Sequence, residues 1–310
     1  MTSLSKAFKH FPNEKILTKV IMHTSASVWK NDLKQRHVRE WLENFNGEVF
    51  QKKYERLMAL WLLSHFTFYN QQEVTHLCRV VYRDLIHRIV ENQASSGHSA
   101  SNLIESFFRS AIVTTSERTS GSGGFIAYFF RHANNLPMTL FEPSIDNLGK
   151  SIKNIIIIDD VTLTAGKSGQ MHKFFEREVK KHSDKSFYLL TLVSSSSALD
   201  YLRNTFKIKA VSAVTLDSRD RCFSPESDMF CTYQHLRVRG QSLAEHYGKK
   251  IANKDPLGYQ DGQCAFGFFY NTPDNTLPIF WCQDNGWIPI IGRFHKNYNV
   301  QNFVGHERFL

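Results

Sequence analysis

Apolar positions follow a helical period through the first hundred residues and then condense into short runs separated by turn residues. In the first part, Trp29, Leu33, Val38, Trp41, Leu42 and Phe45 recur near helical spacing until Asn46-Gly47, which predicts a helix over 28–45. A second helix is expected over 48–68, where Tyr54, Leu57, Met58, Leu60, Trp61 and Leu62 form a stripe broad enough for deep burial. A third, over 71–90, has Asn70 as its N-cap and carries Val74, Leu77, Val81, Leu85 and Ile89 on one face. Trp41 and Trp61 read as core residues. The small and polar residues 93–101 have the composition of a linker.

After the linker, strands and helices alternate. Residues 111–115 predict a short strand and 125–131 a helical run. Four consecutive isoleucines, Ile155 to Ile158, read as a central parallel strand buried on both faces. Asp159 and Asp160 end that strand, a small hydroxyl-rich loop follows, and a helix opens over 169–181. Further strands at 187–193 and 210–216 flank a helix at 194–206. The alternation implies parallel pairing with right-handed crossovers. Ligands of open α/β sheets sit at the carboxyl ends of the strands. There, loop N–H groups and the positive end of a helix dipole can hold an anion. Two carboxylates cannot bind that same anion, so they should face sugar hydroxyls or a divalent cation. An isolated Asp-Asp more often caps a turn, but the apolar run before it and the anion-sized loop after it favour a ligand site. Gly166-Lys167-Ser168 copies the end of a P-loop, yet that motif requires Gly where Val161 stands. The segment from Glu117 to Gly124 is a second Gly/Ser cradle between strand and helix.

The run from Asn154 to Ser168 resembles the phosphoribosyl-pyrophosphate (PRPP) loop of type I phosphoribosyltransferases. The resemblance implies an α/β, Rossmannoid core with a parallel sheet. It implies that Asp159 and Asp160 hold the ribose hydroxyls, and Mg²⁺ only indirectly, through those hydroxyls or water. Thr162, Thr164, Ala165, Gly166, Lys167 and Ser168 would hold the 5′-phosphate. Arg118, Ser120, Gly121 and Ser122 would grip the pyrophosphate. Leu163, Ala165 and Lys167 depart from the family, which usually has Thr or Gly, Gly and Thr there.

From residue 223 the pattern changes again, with helices expected over 227–239 and 242–252. A stretch dense in Pro, Asn and aromatics then runs from Gly258 to Arg293 and predicts an ordered loop array packed over a site. Within it, Asn271, Pro273, Asn275, Thr276, Leu277, Pro278, Trp281, Trp287, Pro289 and Arg293 resemble a phosphoribosyltransferase-like subgroup of bacterial anti-phage systems, including certain retrons. The expected organisation is a helical region (1–105), the α/β core (106–222) and a C-terminal hood (223–310). The subgroup implies an effector that transfers a phosphoribosyl group. The alternative it leaves open is a catalytically inactive sensor or scaffold held by a reverse transcriptase and its RNA/DNA.

Composition narrows the partners. Net charge is +9, with 15 Lys+Arg against 10 Asp+Glu in residues 1–110, which favours anionic partners. Five scattered cysteines make no C-x-x-C pair and no zinc spacing, as expected for reduced thiols in the cytoplasm. Met1 to His10 has no signal-peptide core, and no run of 18 apolar residues predicts a membrane span.

Overall fold

The computed structural model describes residues 3–30, 32–91, 99–116, 122–164, 166–167 and 169–293. The chain opens with α1 (Ser3–Ala7), α2 (Glu14–Ser27), α3 (Gln35–Leu42), α4 (Lys52–Ser64) and β1 (Thr67–Tyr69). It continues through α5 (Gln71–Glu91), α6 (Ala100–Arg109), β2 (Ala111–Thr115), α7 (Ser122–Ala133), β3 (Asn154–Thr162), α8 (Gln170–Lys181), β4 (Ser186–Ser195), α9 (Ser196–Phe206) and β5 (Lys209–Leu216). The last elements are α10 (Gln234–Ile251), β6 (Phe266–Phe268) and α11 (Pro278–Trp281). Two compact units result: residues 72–217, and residues 1–71 together with 218–310. Among the described residues no helix is long and apolar enough to cross a membrane.

The unit of residues 72–217 is built on a parallel sheet in the order β2-β3-β4-β5. Ile155 to Ile158 are each fully buried, as two-sided coverage of an inner strand requires. Each contributes about 1.5–3 kcal/mol of burial. Ile155 and Ile157 share one cluster with Met171, Phe175, Leu199 and Leu202, from α8 and α9. On the outer edge of β2, Phe141 makes a single parallel bridge to Val113, and the Glu142 N–H donates to the Val113 carbonyl at 3.0 Å.

The other unit joins both ends of the chain. Trp41 is fully buried and its indole N–H donates to the Ile279 carbonyl at 2.8 Å. Asn44 exchanges two hydrogen bonds with the backbone of Ile288, at 2.8 and 3.0 Å. Phe45 packs edge-on against Trp287, with ring centroids 5.4 Å apart. The aromatic residues of the C-terminal segment therefore fill a core with the N-terminal helices. Residues 1–71 and 218–310 share one core, and residues 72–105 group with the sheet.

Three local expectations are corrected. Residues 28–45 are not one helix: Ser25 binds both the N–H and the carbonyl of Leu33, folding the chain back before α3 begins. The helix expected to reach residue 68 ends at Ser64, because Thr67–Tyr69 pairs in parallel with Phe266–Phe268. Finally, α10 runs unbroken through Gly240, and its second half begins without an interruption at 240–242. A Cβ there would lie 2.8 Å from the Phe230 ring and 3.2 Å from the Met58 sulfur, so this glycine permits close packing and ends nothing.

Candidate functional site

Strand β3 does not stop at the acidic pair. It continues to Thr162, with Asp159, Val161 and Thr162 in register with Thr191, Val193 and Ser194 of β4. In contrast, β2 ends at Thr115, opposite Ile158. Both half-buried carboxylates thus stand just past the end of β2, with β4 alongside. Strand alternation assigns Asp159 to the side of Ile155 and Ile157, and Asp160 to the other. A ligand that meets both is therefore held over the end of β2, against the flank of β3.

The pair is braced from β3 and β4. Thr162 donates its hydroxyl to Asp159 at 3.1 Å, and the Val161 N–H donates to Asp160 at 2.9 Å. Ser194 donates to the Thr162 carbonyl at 2.5 Å, and Ser195 to the Leu163 carbonyl at 3.0 Å. Ser195 also caps α9 by accepting the Ala198 N–H at 3.1 Å. The serine run reads from sequence as a helix cap. Its second role, fixing the backbone that leaves the acidic pair, depends on the register between β3 and β4.

Between strand and helix, Gly166 has φ +115°, a conformation that other residues adopt only with strain. Its carbonyl accepts the Gly169 N–H at 3.1 Å. A Cβ on Gly169 would lie 3.2 Å from that carbonyl and 3.3 Å from the carbonyl of Thr164, so the turn is tight. Gly169 is the N-cap of α8 and contributes no side-chain cap, and the first turn of α8 holds no acidic residue. The positive end of such a helix can attract an anion. His172, in the first turn of α8, is buried, and its Nδ1 lies 2.8 Å from the Tyr201 hydroxyl, tying α8 to α9. A histidine inside an apolar stripe gives no sign of that tether in the sequence.

The expected residues are placed unevenly. Asp159, Asp160, Thr164, Gly166 and Lys167 lie together at this end of the sheet, with Lys167 exposed. Thr162 is there too, but it is buried and engaged with Asp159, so it supports the carboxylate and does not line the loop. Ala165, Ser168, Arg118, Ser120 and Gly121 lie outside the described residues. Ser122 is the first residue of α7. The next residue, Gly123, packs so closely that a Cβ would come within 2.9 Å of the Thr115 side chain. Among the described residues no group of three or more His, Cys, Asp or Glu could hold a metal ion.

A family model described as PRTase-CE matches residues 38–293. No curated protein matches the sequence. Among solved structures, the Helicobacter pylori xanthine-guanine-hypoxanthine phosphoribosyltransferase aligns at 17% identity and TM-score 0.30, covering 49% of this chain and 84% of its own. The orotate phosphoribosyltransferase from Aeropyrum pernix aligns at 20% identity and TM-score 0.24, covering 36% of this chain and 64% of its own.

Proposed function

This chain belongs to the PRTase-CE family, and from that premise we propose that it binds PRPP, or a related ribose phosphate, over the end of β2 and transfers the phosphoribosyl group. The observation that supports this most is the sequence of features along one strand. Two carboxylates flank β3, a glycine with positive φ turns the chain, and a helix start without a side-chain cap or acidic residue follows. Asp159 and Asp160 orient the ribose through its hydroxyls. The backbone at Thr164, Gly166 and Lys167 and the start of α8 hold the 5′-phosphate. The connection after β2, containing Arg118, Ser120 and Gly121, receives the pyrophosphate together with Ser122 at the start of α7. Holding both charged ends fixes C1′ for attack by an acceptor, so positioning and charge stabilisation supply the rate.

The donor set suits Mg²⁺ that arrives with the pyrophosphate. This cation usually takes one or two carboxylates, with phosphates and water completing its shell. When bound, its contribution is to neutralise leaving-group charge. The C-terminal pattern from Asn271 to Arg293 supports placing the protein among anti-phage, retron-type effectors.

A second reading, a sensor or scaffold without turnover inside a reverse transcriptase–nucleic acid complex, is favoured by Leu163 and Ala165, where the family carries smaller or hydroxylated residues. Titration calorimetry with PRPP and Mg²⁺, followed by a pyrophosphate assay, tests both readings. Asp159→Asn with Asp160→Asn should abolish binding while the melting temperature stays within a few degrees of wild type. Undiminished binding in that double variant defeats the ribose assignment. Binding without pyrophosphate release, across candidate acceptors, supports the second reading.

A further inference from the structure

The register of the sheet breaks at the acidic pair. The pairing of β3 with β4 skips Asp160 and Leu192, and that of β4 with β5 skips Leu192 and Ala213. Asp159, Thr191 and Ser212 form the in-register row just before this crease. Each of them is tied to its own strand beyond it. The Thr162 hydroxyl donates to Asp159 at 3.1 Å, that of Thr191 to the Val193 carbonyl at 3.1 Å, and that of Ser212 to the Val214 carbonyl at 2.6 Å.

The tie on β3 is incompatible with a regular strand. Residues three apart would lie about 10 Å from each other and face opposite sides, beyond the reach of a hydroxyl and a carboxylate. The strand is therefore bent between Asp159 and Thr162, and their bond closes the bend. Thr162 is itself held in place: it is buried, and Ser194 of β4 donates to its carbonyl at 2.5 Å. The bend has a chemical consequence. In a flat strand, neighbouring carboxylates point to opposite faces and cannot both reach adjacent hydroxyls of one sugar. Bending the strand at the pair narrows the angle between them.

We propose that Thr162 is a positioning residue for the acidic pair: its hydroxyl clasps β3 across the crease and holds the Asp159 carboxylate where a vicinal diol meets both Asp159 and Asp160. Thr162 touches no ligand and acts through Asp159 alone. This inference rests on the ribose reading of the site. It accounts for a threonine, with a buried hydroxyl that needs a partner, at a strand position where an apolar residue would fill the same space.

The test compares the full wild-type chain with Thr162→Val, which keeps the shape and removes the hydroxyl, and Thr162→Ser, which keeps the hydroxyl. Each is titrated with PRPP and Mg²⁺, and separately with inorganic pyrophosphate and Mg²⁺. Loss of one hydrogen bond to a charged group should weaken PRPP about tenfold or more in Thr162→Val, with Thr162→Ser within about threefold of wild type. Pyrophosphate carries no sugar, so all three chains should bind it alike. Wild-type PRPP affinity in Thr162→Val, failure of Thr162→Ser to restore it, or an equal loss for pyrophosphate would each overturn the role of Thr162. Absence of PRPP binding by the wild-type chain would instead defeat the ribose reading itself.

Discussion

Glu55 is a charged residue placed where only a dense set of donors makes it tolerable. It is fully buried and accepts the N–H groups of Gly47, Val49 and Phe50 at 2.6–3.0 Å, and the Tyr247 hydroxyl at 2.7 Å. Replacing it with Ala orphans four donors at once, and Glu55→Ala should cost about 3–5 kcal/mol in chemical denaturation. Glu55→Gln retains part of the set and should cost less. Burial, with the Glu55 carboxylate beside it, lifts the Tyr247 phenol to about 12. The unfolded phenol releases its proton near 10, so Tyr247 favours the folded state fully below pH 10, and that contribution is lost as pH rises toward 12. Urea titrations across this window should show a steeper alkaline loss in wild type than in Tyr247→Phe. Equal slopes would contradict the assignment. In the sequence Glu55 looks like any exposed helix glutamate, because its donors arrive from a turn whose path the apolar pattern does not encode.

Elements were legible where burial alone decides them. The strand β2 falls on the run expected over 111–115, and β3, β4, α8, α9 and β5 match their expected positions within one to three residues. Ile155 to Ile158 and Phe187 to Val193 have only one environment that suits them, the inside of a parallel sheet. Misreadings occurred where a distant partner overrode the local pattern. Ser25 reverses the chain at Leu33, and Phe266–Phe268 draws Thr67–Tyr69 into a strand. At the candidate site, the acidic pair and turn glycine could be read locally, but the bracing by Ser194 and Ser195 could not. Gly240 offers a direct test of local against tertiary control. Were it a helix break, Gly240→Ala would gain up to about 1 kcal/mol of helix propensity. The Phe230 ring at 2.8 Å makes overpacking, about 1–3 kcal/mol, the larger effect. The variant should therefore melt several degrees below wild type, and a stabilised variant would show that Phe230 and Met58 yield easily.

At the scale of the molecule, the family match and the parallel core agree on a phosphoribosyltransferase-like α/β protein. Linker composition marks where a chain is polar and not which core it enters. Trp29, Trp41 and Trp61 all belong to the unit completed by residues 218–310. A chain ending at Asp217 should therefore leave these indoles in water, with tryptophan emission shifted to the red of the full protein. Emission unchanged from wild type would mean that residues 1–71 form their core without the C-terminal segment.

Because residues 72–217 interrupt that unit, the order of synthesis sets an order of folding. At ~5–20 residues per second, the ribosome spends roughly 7–30 s between releasing the first half of this core and supplying the rest. Throughout that interval Trp41 and Phe45 wait without Phe280 and Trp287. The sheet can assemble meanwhile, whereas the nascent amino-terminal helices remain sticky clients for any chaperone within reach.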